Sequence, residues 1–127
     1  MSRLAVLLLM PLMVSAVSWR SWDAALAEAA RTGKPIMVDA VREGCRYCSE
    51  MEAAVFDDAA VAAQIEKRFV PVKVNLSREA MPRELEVEMT PSFFFFTPGA
   101  TLIKTVPGAW NREDFMTILE EVLHDVP

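Results

Sequence analysis

Apolar and polar residues recur along the chain with two different periods, and each period predicts one kind of element. Residues 22–32 (WDAALAEAART) carry apolar side chains three and four positions apart, which indicates a helix with one buried face. Ser21 is a suitable N-cap for this helix, and Gly33 fits the position after its last turn. Residues 35–40 (PIMVDA) form a short apolar run bounded by turn residues, which predicts a buried strand.

A second helical pattern begins in the stretch EGCRYCSEME, which contains both cysteines of the chain. Cys48, Met51 and Val55 share one face of that helix. Asp57 and Asp58 follow as candidate caps, so a further helix is expected directly after them.

The middle of the chain is less regular. Residues 68–76 (RFVPVKVNL) predict a strand, and Pro71 places it at a sheet edge or a bulge because proline lacks an N–H group. Residues 84–89 alternate glutamate with leucine, valine and methionine, a period of two, whereas Pro82 suits the first turn of a helix. We expect a short helix that runs into the next strand.

The last third predicts a hairpin followed by a helix. Residues 92–96 (SFFFF) are almost wholly apolar, which is typical of a strand covered on both faces. The turn residues 97–100 then connect this strand to a partner at 101–106. Asn111 is a suitable cap for a final helix with one apolar stripe. The stripe comprises Phe115, Ile118, Leu119 and Val122. Strands that alternate with helices predict an α/β layered domain.

The N-terminus has a pattern of its own. Arg3 precedes an apolar run over residues 4–14, which ends in the small-residue triplet VSA. This pattern predicts a cleavable secretory signal over residues 1–16 and a folded domain over residues 17–127. A buried first helix and an uncleaved anchor are the alternatives. Export would place the cysteines in a compartment that permits disulfides.

Length and charge exclude some classes of protein. The 127 residues suffice for one domain with one core. The net charge is −5 and basic residues do not cluster, so a nucleic-acid partner is not expected.

The two cysteines allow three interpretations. A zinc site needs four ligands, and Cys45, Cys48 and His124 supply three. Carboxylates could complete the set, but the spacing is not typical of a zinc site. A structural staple that closes so small a loop would constrain the unfolded chain little. Redox use is favoured, because Cys45 begins a helix whose free N–H groups stabilise a thiolate, as does the neighbouring Arg46. Cys48 lies one turn further on, close enough to form a disulfide and more sheltered.

A copper site is a further alternative. Cys45, Cys48 and Met51 form a C-x-x-C-x-x-M pattern, which offers soft sulfur ligands. Methionine that fills gaps in a core is the commoner explanation of such a spacing.

Several stretches resemble the thioredoxin family. The stretch IMVDAVREGCRYC is similar to the thioredoxin active-site strand and helix, whose usual form is ILVDFWAEWCGPC. Asp39 stands six residues before Cys45, where thioredoxins carry a buried acid. MTPSFFFF resembles the segment whose cis-proline faces the dithiol, which assigns that position to Pro91. PGATL and VPGAW resemble the terminal hairpin and the glycine that follows it, here Gly108.

The resemblance covers residues 19–123 and implies a fold. Within the family, the chain most resembles small exported thioredoxin-like proteins and the C-terminal domain of membrane thiol:disulfide interchange proteins, which share the opening W…A…A…GKP. The implied fold is a thioredoxin fold of the α/β class. It has a central mixed sheet with a C-terminal antiparallel hairpin, and helices on both faces.

The resemblance also implies roles for single residues. Cys45 would attack a substrate disulfide as a thiolate, and Cys48 would resolve the mixed disulfide. Asp39 would relay the proton of Cys48. Pro91 in the cis form would leave the adjacent backbone free to pair with an extended substrate.

Three residues near the dithiol are expected to contact substrate. Thr90 precedes the proline, and a threonine there is associated with reducing and isomerising relatives. Tyr47 and Arg46 replace the glycine and proline that usually separate the two cysteines, and this dipeptide tunes redox potential in the family. Gly44 replaces the usual tryptophan, so an aromatic wall is missing beside the first cysteine.

The sequence therefore predicts an exported thiol-disulfide oxidoreductase. It would act as a monomer without a cofactor, reduce protein disulfides and be recharged by a membrane or soluble thiol donor. The alternative is a binding module on the same scaffold, such as a copper metallochaperone whose dithiol holds the metal.

Overall fold

The computed structural model describes residues 2, 5–8 and 16–127. Most of the predicted signal segment 1–16 lies outside these residues, so its cleavage stays a prediction. Across the described residues, no helix is both long enough and apolar enough to cross a membrane.

The described chain folds into alternating helices and strands. In chain order they are α1 (Trp22–Thr32), β1 (Ile36–Val41), α2 (Arg46–Met51), a π-helical turn (Glu52–Phe56), α3 (Ala59–Arg68), β2 (Val70–Asn75), a 3-10 turn (Pro82–Glu84), β3 (Ser92–Phe96), β4 (Leu102–Pro107) and α4 (Arg112–Asp125). The helix caps are those that the sequence predicts. Ser21, Asp58 and Asn111 each accept a backbone N–H bond at the start of α1, α3 and α4.

The four strands form one mixed sheet in the order β2-β1-β3-β4. β1 runs parallel to β2 and antiparallel to β3, and β3 pairs with β4 as an antiparallel hairpin. The register sets Ala40 at the end of β1 opposite Ser92 at the start of β3. The chain that leaves β1 and the chain that enters β3 therefore meet at one end of the sheet.

Both faces of the sheet are covered, as predicted. On one face Met37, Phe93 and Phe95 pack against the π turn, α3 and α4. On the other face Ile36 and Phe94 pack against α1. Because successive strand residues point to opposite faces, Asp39 lies on the same face as Met37.

Pro71 lies in the edge strand β2, which confirms that prediction. Its carbonyl accepts a hydrogen bond from the N–H of Arg20 at 2.9 Å, on the side away from β1. The N and O atoms of one strand residue point the same way, so the missing proline N–H would also point away from β1. The proline therefore removes no bond from the β1–β2 ladder.

The segment between β2 and β3 differs from the expectation. The helix at Pro82 is a single turn, since Arg83 and Glu84 have positive φ angles of 62° and 53°. Leu85 and Val87 then pack on the α1 face of the core without forming a strand. Their alternation with glutamate reflects alternating burial in a segment that pairs with no strand among the described residues.

Candidate active site

The two cysteines are joined to each other at the start of α2. Cys45 is the N-cap of this helix, and its sulfur is bonded to that of Cys48 with the Cα atoms 5.3 Å apart. Gly44 precedes them with φ +70°, a conformation that glycine adopts without strain, and this turn directs the chain from β1 into α2. Both cysteines are partly buried in this state. A difference in accessibility between the reduced thiols stays a prediction.

Two donors converge on the sulfur of Cys45. The backbone N–H of Cys48 donates to it at 3.1 Å, and the hydroxyl of Thr90 donates to it at 3.3 Å. The carbonyl oxygen of Thr90 lies 3.6 Å from the same sulfur. Both donors would stabilise negative charge on Cys45 once the disulfide is reduced, because hydrogen bonds to a charged form favour that form. Thr90, expected to contact substrate, lies directly against Cys45.

Pro91 lies next to this contact. The Thr90–Pro91 peptide bond is cis, and Pro91 is buried. Its carbonyl accepts the N–H of Gly108 at 2.8 Å, which ties the segment before β3 to the turn after β4. Thr90 is thereby held beside the dithiol from a distant part of the chain.

Asp39 lies inside the sheet, with 2% of its surface exposed. Its Oδ1 atom has no hydrogen-bond partner among the described residues. Burial raises the pKa of Asp39 to about 7; the charge of Lys73 acts to lower it, and that of Glu52 to raise it. The carboxyl can therefore exchange a proton near neutral pH, as a proton relay requires.

Lys73 and Glu52 connect this acid with the dithiol, and the sequence interpretation did not assign them a role. Lys73 is the β2 partner of Asp39 in the sheet register, and its Nζ lies 2.8 Å from Oε2 of Glu52. Both side chains line a cavity of about 230 Å³, here called the Lys73 cavity, together with Arg42 and the two cysteines. Two signals could have found them: Lys73 is a single charge in the run VPVKV, and Glu52 follows Cys48 by one helical turn.

Arg46 and Tyr47 are exposed residues in the first turn of α2. The Arg46 guanidinium pairs with the Glu50 carboxylate at 3.0 Å and remains largely exposed. Its charge is therefore partly offset by that of its neighbour. Tyr47 is 60% exposed and lies at the rim of the site.

A groove of about 520 Å³ lies beside Thr90, the residue whose hydroxyl contacts the sulfur of Cys45. Tyr47, Met89 and Trp110 line it together with Thr90, and we call it the Trp110 groove. Within residues 16–127, four large apolar side chains are exposed, and three of them line this groove. The fourth, Leu102, lies in β4. Apolar surface is thus concentrated beside the dithiol, as at a surface that binds another molecule.

The candidate zinc and copper ligands named from the sequence do not come together with further ligands among the described residues. Within the part of the chain that the structure describes, no group of three or more histidine, cysteine, aspartate and glutamate side chains could hold a metal ion. His124 lies near the end of α4 with an exposed ring. Met51 is 2% exposed and belongs to the core, and its sulfur accepts the N–H of Trp110 at 3.1 Å. Packing accounts for this methionine.

Comparison with known proteins gives a consistent result. A family model described as a thioredoxin-like domain matches residues 22–123. The thiol:disulfide interchange protein DsbD 1 of Pseudomonas aeruginosa is 32% identical over 81 residues, which cover 61% of this chain and 14% of that protein. The chain therefore spans only a small part of this relative.

Two solved structures are similar throughout most of the chain. A thioredoxin from Thermus thermophilus superposes with a TM-score of 0.72 at 30% identity, covering 85% of this chain and 88% of that one. The C-terminal domain of DsbD from Neisseria meningitidis, in its oxidised form, gives a TM-score of 0.58 at 20% identity, with 82% and 98% covered. The mixed sheet with helices on both faces is thus the thioredoxin fold that the sequence predicts.

Proposed function

Because the chain belongs to the thioredoxin-like domain family, we propose that it is a thiol-disulfide oxidoreductase that reduces protein disulfides. The observation that carries this proposal is the environment of Cys45. Its sulfur accepts bonds from the Cys48 N–H and the Thr90 hydroxyl, while its disulfide partner lies one helical turn away. This arrangement stabilises an attacking thiolate next to a second thiol that can displace it.

The reaction begins from the reduced dithiol. The Cys45 thiolate attacks one sulfur of a substrate disulfide, forming a mixed disulfide and releasing one substrate thiolate. Cys48 then gives its proton to the Asp39 carboxylate, and the resulting thiolate attacks the sulfur of Cys45. The Cys45–Cys48 disulfide forms, and the second substrate thiolate leaves and takes up a proton. Two electrons pass to the substrate.

The oxidised protein must then be reduced again. A dithiol donor attacks the Cys45–Cys48 disulfide by the same exchange chemistry and leaves as a disulfide, so the cycle balances. We propose a membrane or soluble protein dithiol as this donor. The N-terminal pattern, with Arg3 before the apolar run and the VSA triplet after it, supports export of the domain.

The Trp110 groove supports a polypeptide as the substrate. Its apolar lining lies beside Thr90, whose backbone adjoins the sulfur of Cys45. An extended segment could pair with this backbone while an apolar side chain enters the groove.

The proposal is tested by mixing the fully reduced protein with a disulfide-containing protein and no other reductant. Two substrate thiols should appear for each Cys45–Cys48 disulfide formed. Leu102→Ala, which alters an exposed apolar residue in β4, serves as a control that should react like the parent chain. If reduced protein and substrate disulfide coexist without exchange, the proposed function is wrong.

A further inference from the structure

Trp19 lies ahead of α1, on the sheet face that also carries Asp39. Its ring contacts that of Phe56 edge to face, with centroids 5.1 Å apart. The Nζ atom of Lys73 lies 4.4 Å from the centre of the Trp19 ring. The tryptophan thus packs against the core and against a charged group of the site at once.

The backbone fixes Trp19 in this place. The N–H of Arg20 donates to the Pro71 carbonyl at 2.9 Å, and Arg20 forms a parallel bridge with Val72. The Arg20 guanidinium also pairs with Glu66 at 2.8 Å. The segment that carries Trp19 therefore lies alongside β2, the strand that carries Lys73.

Lys73 lies near two carboxylates, as the bonded partner of Glu52 and the neighbour of Asp39 in the sheet. Its ammonium bonds Glu52, which is partly exposed, and its charge acts on Asp39, which is buried. The charges of Lys73 in β2 and of Glu52 in the π turn act on the Asp39 carboxyl in opposite directions. Arg42 and the two cysteines face the same Lys73 cavity. The position of the Lys73 ammonium therefore influences how much positive charge the buried acid experiences.

We propose that Trp19 is a positioning residue that holds the Lys73 ammonium beside Asp39 and so keeps this acid able to accept the proton of Cys48. The attraction between a cation and an indole face restricts a flexible lysine side chain that could otherwise follow Glu52 towards solvent. Leucine at this position would cover the same core without attracting the cation. The part of this inference that concerns Cys48 rests on the function proposed above; the part that concerns Asp39 does not.

The experiment follows the Asp39 carboxyl carbon by ¹³C NMR across a pH series in the full, reduced chain. Trp19→Leu should move the inflection of Asp39 upward by about half a pH unit, because a weakly restrained ammonium stabilises the carboxylate less. Trp19→Phe, which keeps a smaller aromatic face, should move it upward by less. The pH profile of substrate reduction should shift in the same direction.

Two controls separate positioning from packing. Trp22 makes a similar edge contact with Phe96, at 4.9 Å, on the opposite face of the sheet. Trp22→Leu should therefore lower stability without moving the Asp39 inflection. In a Lys73→Met background, Trp19→Leu should cause no further shift, since no cation remains to be held.

The outcomes distinguish this inference from the proposed function. The positioning role is wrong if the Asp39 inflection does not move in Trp19→Leu and Trp19→Phe. It is also wrong if Trp19→Leu moves the inflection by the same amount in the Lys73→Met background as in the parent chain. If it moves as expected while no variant and no parent chain reduces a disulfide, positioning stands and the oxidoreductase proposal fails. If it moves but the pH profile of reduction does not follow, the link from Asp39 to Cys48 is wrong.

Discussion

The hydroxyl of Thr90 lies 3.3 Å from the sulfur of Cys45, across 45 positions of sequence. Sheet topology explains the contact. The end of β1 adjoins the start of β3, so the residues that follow one strand meet those that precede the other. Cys45 therefore receives one hydrogen bond from its own helix and one from a separate part of the chain.

Removal of the Thr90 hydroxyl should make Cys45 less reactive. Thr90→Val keeps the shape of the side chain but leaves only the Cys48 N–H to stabilise the thiolate. A hydrogen bond to a charged group contributes roughly 1.5 kcal/mol or more, which corresponds to about a tenfold smaller thiolate fraction at mildly acid pH. Because a thiolate of higher pKa is also more nucleophilic, the alkylation of Cys45 should be slower by roughly fourfold. The measurement is the alkylation rate of the reduced protein as a function of pH.

Thr105→Val in the exposed part of β4 is the matched control and should leave the alkylation profile unchanged. Equal rates for Thr90→Val and the parent chain would show that the Thr90 hydroxyl does not stabilise the thiolate.

Asp39→Asn should stabilise the fold at alkaline pH more than at acid pH. The folded chain retains a proton on Asp39 up to about pH 7, whereas the unfolded chain releases it near about pH 4. The free energy of unfolding therefore falls as pH rises through this window, and the Asp39 contribution is fully lost above it. At about pH 8.5, which is about 1.5 units above the upper limit of this window, the asparagine substitution should be more favourable to stability by roughly 4 kcal/mol than at about pH 4.

Chemical denaturation at several pH values measures this effect. Asp23→Asn, an exposed substitution in α1, is the control for the removal of one carboxylate at the surface. A stability difference for Asp39→Asn that is the same at about pH 4 and at about pH 8.5 would show that burial does not raise the pKa of the Asp39 carboxyl.

The elements of the fold follow from local patterns. The buried stripe of α4 and the apolar run of β3 each depend on residues close in sequence. β3 has the predicted bounds, and α4 begins directly after the predicted cap Asn111. The capping roles of Ser21 and Asp58 are likewise local, because a cap bonds an N–H only a few positions away.

The grouping of Asp39 with Lys73 and Glu52 could not be predicted in the same way. It depends on β1 lying between β2 and β3, and strand order is not a local property of the sequence. The contact between Trp19 and Lys73 similarly requires an extended segment to pair with the edge of β2. The cysteine spacing and the resemblance to thioredoxins located the dithiol, but not the charges around it.

Truncation of Trp110 should weaken substrate binding and have little effect on the rate of the exchange step. Trp110→Ala removes one wall of the Trp110 groove while leaving the donors to Cys45 in place. The KM for a peptide disulfide with a large apolar residue beside its cysteine should rise roughly fivefold, since the wall contributes about 1 kcal/mol of apolar contact. The value of kcat should change little.

Steady-state kinetics with two peptides provide the comparison. A peptide with alanine in place of the large apolar residue should lose most of its sensitivity to Trp110→Ala. Leu102→Ala should affect neither peptide. A fall in kcat with an unchanged KM would mean that the groove does not hold the substrate.

The two sulfurs are assigned separate roles, attack on the substrate for Cys45 and resolution of the mixed disulfide for Cys48. Covalent trapping tests these roles most directly. Cys48→Ser retains the attacking thiol without a resolving thiol, so mixed disulfides between Cys45 and substrates should accumulate on non-reducing gels. Cys45→Ser should trap almost nothing and lose reductase activity, because its remaining thiol lacks the two donors that face Cys45. Equal trapping by both variants would contradict the assigned roles, and full activity with trapping by neither would show that this dithiol does not catalyse exchange.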